Sequence, residues 1–218
     1  MAIIYGTTGL NVIVGNGAGT SQPTAQGPAG ELLMAEVHGK YYHPNRAGNV
    51  FYLATAAAGT VVPIQATNLV STFTLWNPLG SNKNIELIRY SYGILNATTV
   101  VSDISMYVQP GVGAAVAAPG TLTLLTIRSA AGGGATSTLP SVCTGYSAAT
   151  LVDTVGTNLF RGPTMTSFGA VTSTNAAPIN YDFDGSFILP PGTLVTFAGT
   201  AAQSQAGSQF MSWAEWPL

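Results

Sequence analysis

Charged side chains are scarce in this sequence. Of 218 residues, six are Lys or Arg and eight are Asp or Glu, which is 6% of the chain, whereas an average soluble protein carries about 25%. Binding to nucleic acid requires clustered basic residues that neutralise phosphates, but here they are scattered between Lys40 and Arg161. With a net charge of −2, the composition argues against genome packaging. It predicts a neutral, hydroxyl-rich surface, much of it covered by other subunits.

Cysteine is also rare, and the sequence contains no pattern typical of a membrane span or an export signal. Cys143 is the single cysteine, so no disulfide forms within the chain, and a small buried side chain is a better interpretation than a nucleophile. No apolar run approaches the ~18 residues of a membrane span, and no basic segment opens the chain as in a secretory signal. A virion protein, made in the host cytoplasm and later displayed outside, fits both the neutral composition and the missing signal.

Helical patterns are absent as well, and strand patterns dominate from Glu31 onward. The 26 glycines and 13 prolines divide the chain into short segments, and no ten-residue segment carries an apolar stripe of helical period. Residues 70–78 and 85–95 alternate in hydrophobicity on either side of a turn, which is typical of a hairpin with a long loop. The other predicted strands are 50–54, 104–108, 121–127, 179–189, 193–199 and 209–216.

These patterns predict an all-β fold, namely a jelly-roll-like β-sandwich of two sheets with an extended N-terminal arm. Residues 1–30 form the N-terminal strand and the arm or loop in this prediction, because 15–30 lack both periodicity and bulky apolar side chains. Residues 31–218 form the β-sandwich domain.

Six aromatic residues are candidates for packing in the core or at a subunit interface, which is the usual role of aromatic side chains on strands. They are Trp76, Tyr90, Tyr92, Phe210, Trp213 and Trp216. In the terminal strand, alternation places Trp213 with Met211 on one face and Phe210 with Trp216 on the other. One face is expected in the sandwich core and the other under a neighbouring subunit.

Motifs for cofactor binding or nucleophilic catalysis are incomplete. Gly15, Gly17 and Gly19 resemble part of a dinucleotide fingerprint, but the residues after them cannot open the helix that would hold the pyrophosphate. Ser147 in TGYSAAT lacks the strand, turn and helix of a nucleophile elbow, and both histidines precede it. We therefore predict no catalytic residue and no cofactor.

Two polar groups leave a metal or acid-base role open. Glu36, His38 and His43 lie close together in the sequence and form a conceivable metal site, although a polar loop is the favoured interpretation. Asp182 and Asp184 would share one face of a strand, as a Ca²⁺ site or a glycosidase pair requires. The favoured interpretation of this pair is a solvated strand face that blocks edge pairing, so no metal site is predicted.

Two segments resemble structural proteins of tailed bacteriophages. They are LWNPLGSNKNIELIRYSYGI at 75–94 and ILPPGTLVTFAGTAAQSQAGSQFMSWAEWPL at 188–218. The first carries an Asn-Pro turn between two long strands, and the second a Pro-Pro-Gly turn before a final strand that ends in Trp-x-Glu-x-Pro. In that group, which includes capsid decoration, head-fibre and tail-associated proteins, the fold is a jelly roll or β-sandwich.

The resemblance implies a non-enzymatic virion structural protein. It points to a capsid decoration or cement protein that binds and stabilises the phage shell as a symmetric oligomer, with a trimer expected. Its partners would be the major capsid protein or other virion proteins, with no nucleic acid and no membrane, and its location the particle exterior. An alternative with the same fold is a receptor- or glycan-binding fibre or tail module, in which Tyr41 and Tyr42 stack on sugars. A third is a depolymerase that uses Asp182 and Asp184.

Overall fold

The computed structural model describes the following residues: 40–56, 59–61, 70–71, 73–95, 102–112, 120–131, 140–150, 160–168, 179–199 and 206–218. The chain divides into two compact units, Met1–Tyr42 and His43–Leu218. In the described end of the first unit, the Lys40 ammonium lies 5.2 Å from the centre of the Tyr41 ring. The predicted arm, residues 1–30, lies outside the described residues. All the strands given below belong to the second unit.

The described residues form one short helix and fourteen strands. Helix α1 is Tyr42–Arg46, and the strands are β1 Val50–Ala54, β2 Thr60–Val61, β3 Val70–Ser71, β4 Thr74–Asn77, β5 Lys83–Ile94, β6 Ser102–Gln109, β7 Gly120–Leu125, β8 Arg128–Ser129, β9 Thr144–Thr150, β10 Phe160–Phe168, β11 Ile179–Asp182, β12 Ile188–Leu189, β13 Thr193–Gly199 and β14 Ala206–Pro217. Within these described ranges, no helix is long and apolar enough to span a membrane.

The strands form two antiparallel sheets. The first has the order β11-β5-β14-β1-β8, with β12 beside β5 and β2 beside β14. The second has the order β10-β6-β13-β4-β9-β3, with β7 beside β9. The sets β1-β14-β5-β11 and β4-β13-β6-β10 interleave early and late strands, as the two Greek keys of a jelly roll do. The predicted all-β, jelly-roll-like sandwich of two sheets is confirmed.

The hydrophobic core lies between the two sheets and is rich in aromatic residues. Tyr90 of β5 stacks on Phe197 of β13, with ring centroids 3.9 Å apart and planes 8° apart. Trp213 of β14 stacks on Phe51 of β1 at 6.3 Å. All of these side chains are almost fully buried, and burying a side chain such as Phe197 stabilises the fold by about 1.5–3 kcal/mol.

Strand β14 occupies the centre of the first sheet, although it is the last segment of the chain. It pairs with β5 from Gly207 to Pro217 and with β1 from Phe210 to Ala214. The residues of β14 are therefore interior to a sheet, and Trp213 lies in the core between the two sheets.

The strand predictions differ from the structure mainly where turns interrupt alternation. The predicted strands 50–54 and 193–199 are β1 and β13, whereas 179–189 splits into β11 and β12. Asp184 and Gly185 have positive φ angles of 49° and 80°, a conformation that Asp and Gly tolerate and that ends a strand. Similarly, 121–127 ends at Leu125, and β8 begins at Arg128.

Strands β9 and β10 were not predicted. The first is TGYSAAT, which holds Ser147, and its small residues give little alternation. The second is FRGPTMTSF, in which Gly162 and Pro163 are turn signals. Proline lacks a backbone N–H and is tolerated on edge strands, and β10 lies at the end of its sheet in the described topology.

Candidate interaction surface

A fully buried carboxylate lies near the end of β14. Glu215 has no exposed surface, and the Lys83 ammonium of β5 lies 3.0 Å from its Oε2, with 30% of the Lys83 side chain exposed. Met211 and Trp213 point into the core, and alternation puts Glu215 on the same inward face. This contact joins the end of β14 to the start of β5. Removing one partner of a buried ion pair costs about 3–5 kcal/mol.

The segment before β9 completes the hydrogen bonding of this carboxylate. Ser141 Oγ donates to Glu215 Oε1 at 2.5 Å, and the Val142 backbone N–H donates to the same oxygen at 3.2 Å. The indole N–H of Trp213 lies 3.4 Å from Oε1. Both carboxylate oxygens therefore have partners, as a buried charge requires. The contacts tie residues 140–143 to the end of the sandwich.

Cys143 packs beside this cluster. Its backbone N–H donates to Ser141 Oγ at 3.1 Å. Burial raises the pKa of its thiol well above the usual value, the charge of Glu215 raises it further, and the Ser141 hydrogen bond and Lys83 oppose the shift. Because the thiolate is the nucleophilic form, the thiol acts as a small apolar side chain rather than a reactive group.

Exposed apolar side chains lie at the same end of the sandwich, where β5 begins and β14 ends. We call Leu79, Ile188, Trp216 and Leu218 the apolar end surface. Their exposed fractions are 49, 59, 38 and 74%. Exposed apolar side chains at one end of a domain are candidates for contacts with other macromolecules.

Specific contacts hold these side chains in place. Ile188 pairs across the sheet with Glu86, and the Glu86 carboxylate accepts a hydrogen bond from the Trp216 indole N–H at 2.8 Å. The backbone N–H of Leu218 donates to the Asn82 carbonyl at 3.2 Å. Asn82 has a positive φ of 53°, a conformation that asparagine tolerates better than most residues. The C-terminus is thus attached to the turn between β4 and β5.

Three of the six predicted aromatic residues lie deep in the core. Tyr90, Tyr92 and Trp213 are at most 1% exposed, and the Tyr90 hydroxyl donates to Gln209 Oε1 at 2.9 Å. Burial raises the pKa of Tyr92 to about 12. Burial, followed by the influence of Tyr92, raises the pKa of Tyr90 well above its usual value. These three side chains pack the core and are inaccessible to a partner.

The other three aromatic residues lie on the outer faces of the sheets. Trp76 is partly buried on the second sheet, against a cluster that contains Tyr107 and Leu194. Its indole N–H is buried and has no hydrogen-bond partner among the described residues. Phe210 stacks on Tyr52 at 5.8 Å on the first sheet. Trp216 belongs to the apolar end surface, and the predicted division of β14 into two faces is correct.

The predicted acidic pair does not share a strand face. Asp182 ends β11 and lies 2.6 Å from the Arg89 guanidinium, whereas Asp184 lies in the turn with positive φ. The buried Phe183 separates the two. The prediction that Asp182 and Asp184 share one face of a strand is therefore wrong, because β11 ends at Asp182.

The predicted metal-binding residues lie largely outside the part of the chain that the structure describes. Glu36 and His38 lie outside the described residues, as does the side chain of His43. Among the side chains that are described, no group of three or more His, Cys, Asp or Glu could hold a metal ion. The glycine motif at Gly15, Gly17 and Gly19 also lies outside the described residues.

The ion pair between Glu215 and Lys83 was not predicted from the sequence. The alternation of Met211, Trp213 and Glu215 contained a signal, because it assigns the carboxylate to the buried face. The identity of its partner is not a local property, since the two residues are 132 positions apart.

Comparison with known proteins gave no relative. No protein-family model, no curated protein and no solved structure matched the chain.

Proposed function

We propose that the chain is a structural protein of a tailed-bacteriophage virion, without enzymatic activity, that binds the outer shell of the particle. In this proposal it acts as a capsid decoration or cement protein and forms a symmetric oligomer, namely a trimer. Its partners are the major capsid protein or other virion proteins, and it is displayed on the particle exterior.

The jelly-roll strand order supports the proposal by analogy alone. This architecture recurs in viral capsid proteins, and it also recurs in lectins and in cupins. Because one fold hosts many functions, the strand order raises the expectation of a virion protein without identifying a site.

The apolar end surface is the observation that carries the proposal. Trp216 and Ile188 are exposed on a frame fixed by the buried pair of Glu215 and Lys83. Tryptophan is among the residues that most often contribute a large share of the binding energy between proteins, with near-neutral neighbours that exclude water around it. With only 6% charged residues in the chain, ion pairs can contribute little, so apolar contacts must supply the affinity for a shell.

A binding experiment with empty shells tests the proposal. The double variant Ile188→Ser/Trp216→Ser is mixed with shells purified without this protein, and co-sedimentation is measured. We expect binding to be lost, because both anchors are truncated. The matched control is Leu124→Ser, which changes a side chain that is 60% exposed on β7 of the second sheet and should bind as the wild type does.

Two results would contradict the proposal. One is the absence of wild-type binding to shells, which would remove the shell as a partner. The other is equal binding of the double variant and the wild type, which would exclude the apolar end surface as the attachment site.

Sedimentation velocity of the wild type tests the proposed trimer. A monomer at micromolar concentration would overturn it.

A further inference from the structure

A shallow depression of about 290 Å³, open to solvent, lies on the outer face of the first sheet, at the end opposite the apolar end surface. The end of β1, the end of β5 and the start of β14 line it. Small-ligand pockets range from about 300 to 1,000 Å³, so this depression is suited to a ligand no larger than a monosaccharide or a similar small molecule. We call it the groove.

The pleat of three neighbouring strands explains why the surface is hollow there. One row across the sheet places Phe210 opposite Ser91, and the next outward row places Ser208 opposite Gly93. Rows on one face are about 7 Å apart. The side chains of the second row, Ser208 and Gly93, are much smaller than the phenyl ring of Phe210 in the first row. The surface is therefore lower at the second row.

The lining of the groove is mainly apolar, and three hydroxyl groups border it. Ser91 Oγ donates to Asn180 Oδ1 at 2.6 Å, and Thr55 Oγ1 accepts the Gln209 backbone N–H at 2.9 Å. Ser208 Oγ lies 3.5 Å from the Gly93 carbonyl. A hydroxyl has one donor and two lone pairs, so each of these oxygens retains capacity to bond to a ligand. None of the lining residues is charged.

The Phe210 ring forms one wall of the groove. Phe210 and Tyr52 stack with ring centroids 5.8 Å apart and planes 30° apart, which fixes the orientation of the Phe210 ring beside the hydroxyls. An aromatic face is electron-rich and packs against the C–H groups on one face of a pyranose ring. The combination of a ring wall and uncharged hydroxyls matches the two surfaces of a neutral sugar.

We propose that the groove binds a neutral sugar residue, with Phe210 against its C–H face and Ser91, Ser208 and Thr55 bonded to its hydroxyls. The site lies away from the apolar end surface and does not rest on the proposed attachment to a shell. It leaves a protein anchored through one end free to engage a glycan at the other.

Gly93 permits a specific test. A Cβ at this position would meet only the Ser208 hydroxyl, at 2.8 Å, and the backbone φ of Gly93 is not positive, so Gly93→Ala fills the groove at small cost to the fold. The matched control is Gly80→Ala, where a Cβ meets nothing within 4 Å and the groove is untouched. Phe210→Ala is a second variant that removes the ring and opens the groove.

The measurement is protein-observed NMR with four separate probes: the methyl glycosides of glucose, galactose and mannose, and N-acetylglucosamine. We expect at least one probe to shift the amide signals of residues 91–93 and 208–210. Affinity should fall about tenfold or more, equal to about 1.4 kcal/mol, in both groove variants and remain unchanged in Gly80→Ala. The proposal is overturned by the absence of shifts with all four probes, or by shifts that persist unchanged in Gly93→Ala and Phe210→Ala.

Discussion

The two ends of the first sheet have opposite chemistry, although β5 and β14 run through both. At the C-terminal end, the charged side chain of Glu215 lies inside, while Trp216 and Ile188 lie exposed on the outside. At the groove end, the aromatic ring of Tyr92 lies inside, and Ser208 lies on the outside. The same pair of strands therefore supports exposed apolar side chains at one end and a depression that combines the Phe210 ring with hydroxyls at the other.

The two ends favour different kinds of contact. A group of exposed apolar side chains gains free energy when another protein covers it. At the groove, a ligand gains free energy by packing against the Phe210 ring and by replacing the hydrogen bonds that the hydroxyls make with water. We infer that the C-terminal end suits a lasting contact with protein and the groove end a reversible contact with a small polar group.

The largest loss of stability is expected from Glu215→Ala, which removes the ion pair with Lys83 at the C-terminal end of the first sheet. The change leaves the Lys83 ammonium and the Ser141 hydroxyl without their buried partner. The free energy of unfolding, measured by urea denaturation, should fall by about 3–5 kcal/mol.

The control for this variant is Asp182→Ala, which breaks an exposed ion pair of the same sheet. Asp182 and Arg89 are 2.6 Å apart, and their side chains are 58% and 50% exposed, so the expected loss is about 0–1 kcal/mol. An equal loss in the two variants would mean that the buried pair is not what holds the C-terminal end.

A smaller effect is expected from a pair of glycine substitutions at the groove end. A Cβ on Gly207 would lie 2.3 Å from the Tyr92 ring, so Gly207→Ala overpacks the core and should cost about 1–3 kcal/mol. Gly93→Ala points outward and should stay within about 0.5 kcal/mol of the wild type. Thermal or urea unfolding of both variants measures the difference, and a larger loss for Gly93→Ala would contradict the assigned faces.

The third prediction concerns alkaline pH at the groove end. Tyr90 and Tyr92 ionise at higher pH in the folded protein than in the unfolded chain, because burial raises the pKa of Tyr92 from 10.0 to about 12 and that of Tyr90 well above 10.0. The unfolded chain thus loses these protons first. Stability is fully retained below pH 10 and falls as pH rises towards 12, by up to about 1.4 kcal/mol per pH unit for each tyrosine.

Urea denaturation at a series of pH values tests this prediction. The slope between pH 10 and pH 12 should be smaller in Tyr92→Phe than in the wild type, whatever the absolute stability of the variant. A flat profile over this window, or an unchanged slope in the variant, would contradict the assignment.

The sequence predicted the fold and the faces of the terminal strand because both depend on local alternation. Trp213 and Met211 point inward, and Phe210 and Trp216 point outward, as a period of two requires. The Pro-Pro-Gly turn before β13 was also predicted, and Gly192 has a positive φ of 79° there, which glycine adopts without strain.

The sequence could not predict the surfaces, because they depend on contacts between distant segments. Glu215 meets Lys83 and Ser141, which are 132 and 74 positions away. The groove forms where Ser208 faces Gly93, 115 positions away. A period of two says which face a residue occupies, but it does not say which strand lies beside it.

Residue-level footprinting of the protein bound to shells tests the separation of the two ends most directly. Hydrogen exchange or oxidative labelling is compared between the free and the shell-bound protein. We predict protection of residues 78–82, 186–189 and 216–218, with no protection of 52–56, 91–93 and 208–210. Protection confined to the groove end, or equal labelling of the C-terminal end in both states, would contradict the assignment of the apolar end surface as the attachment site.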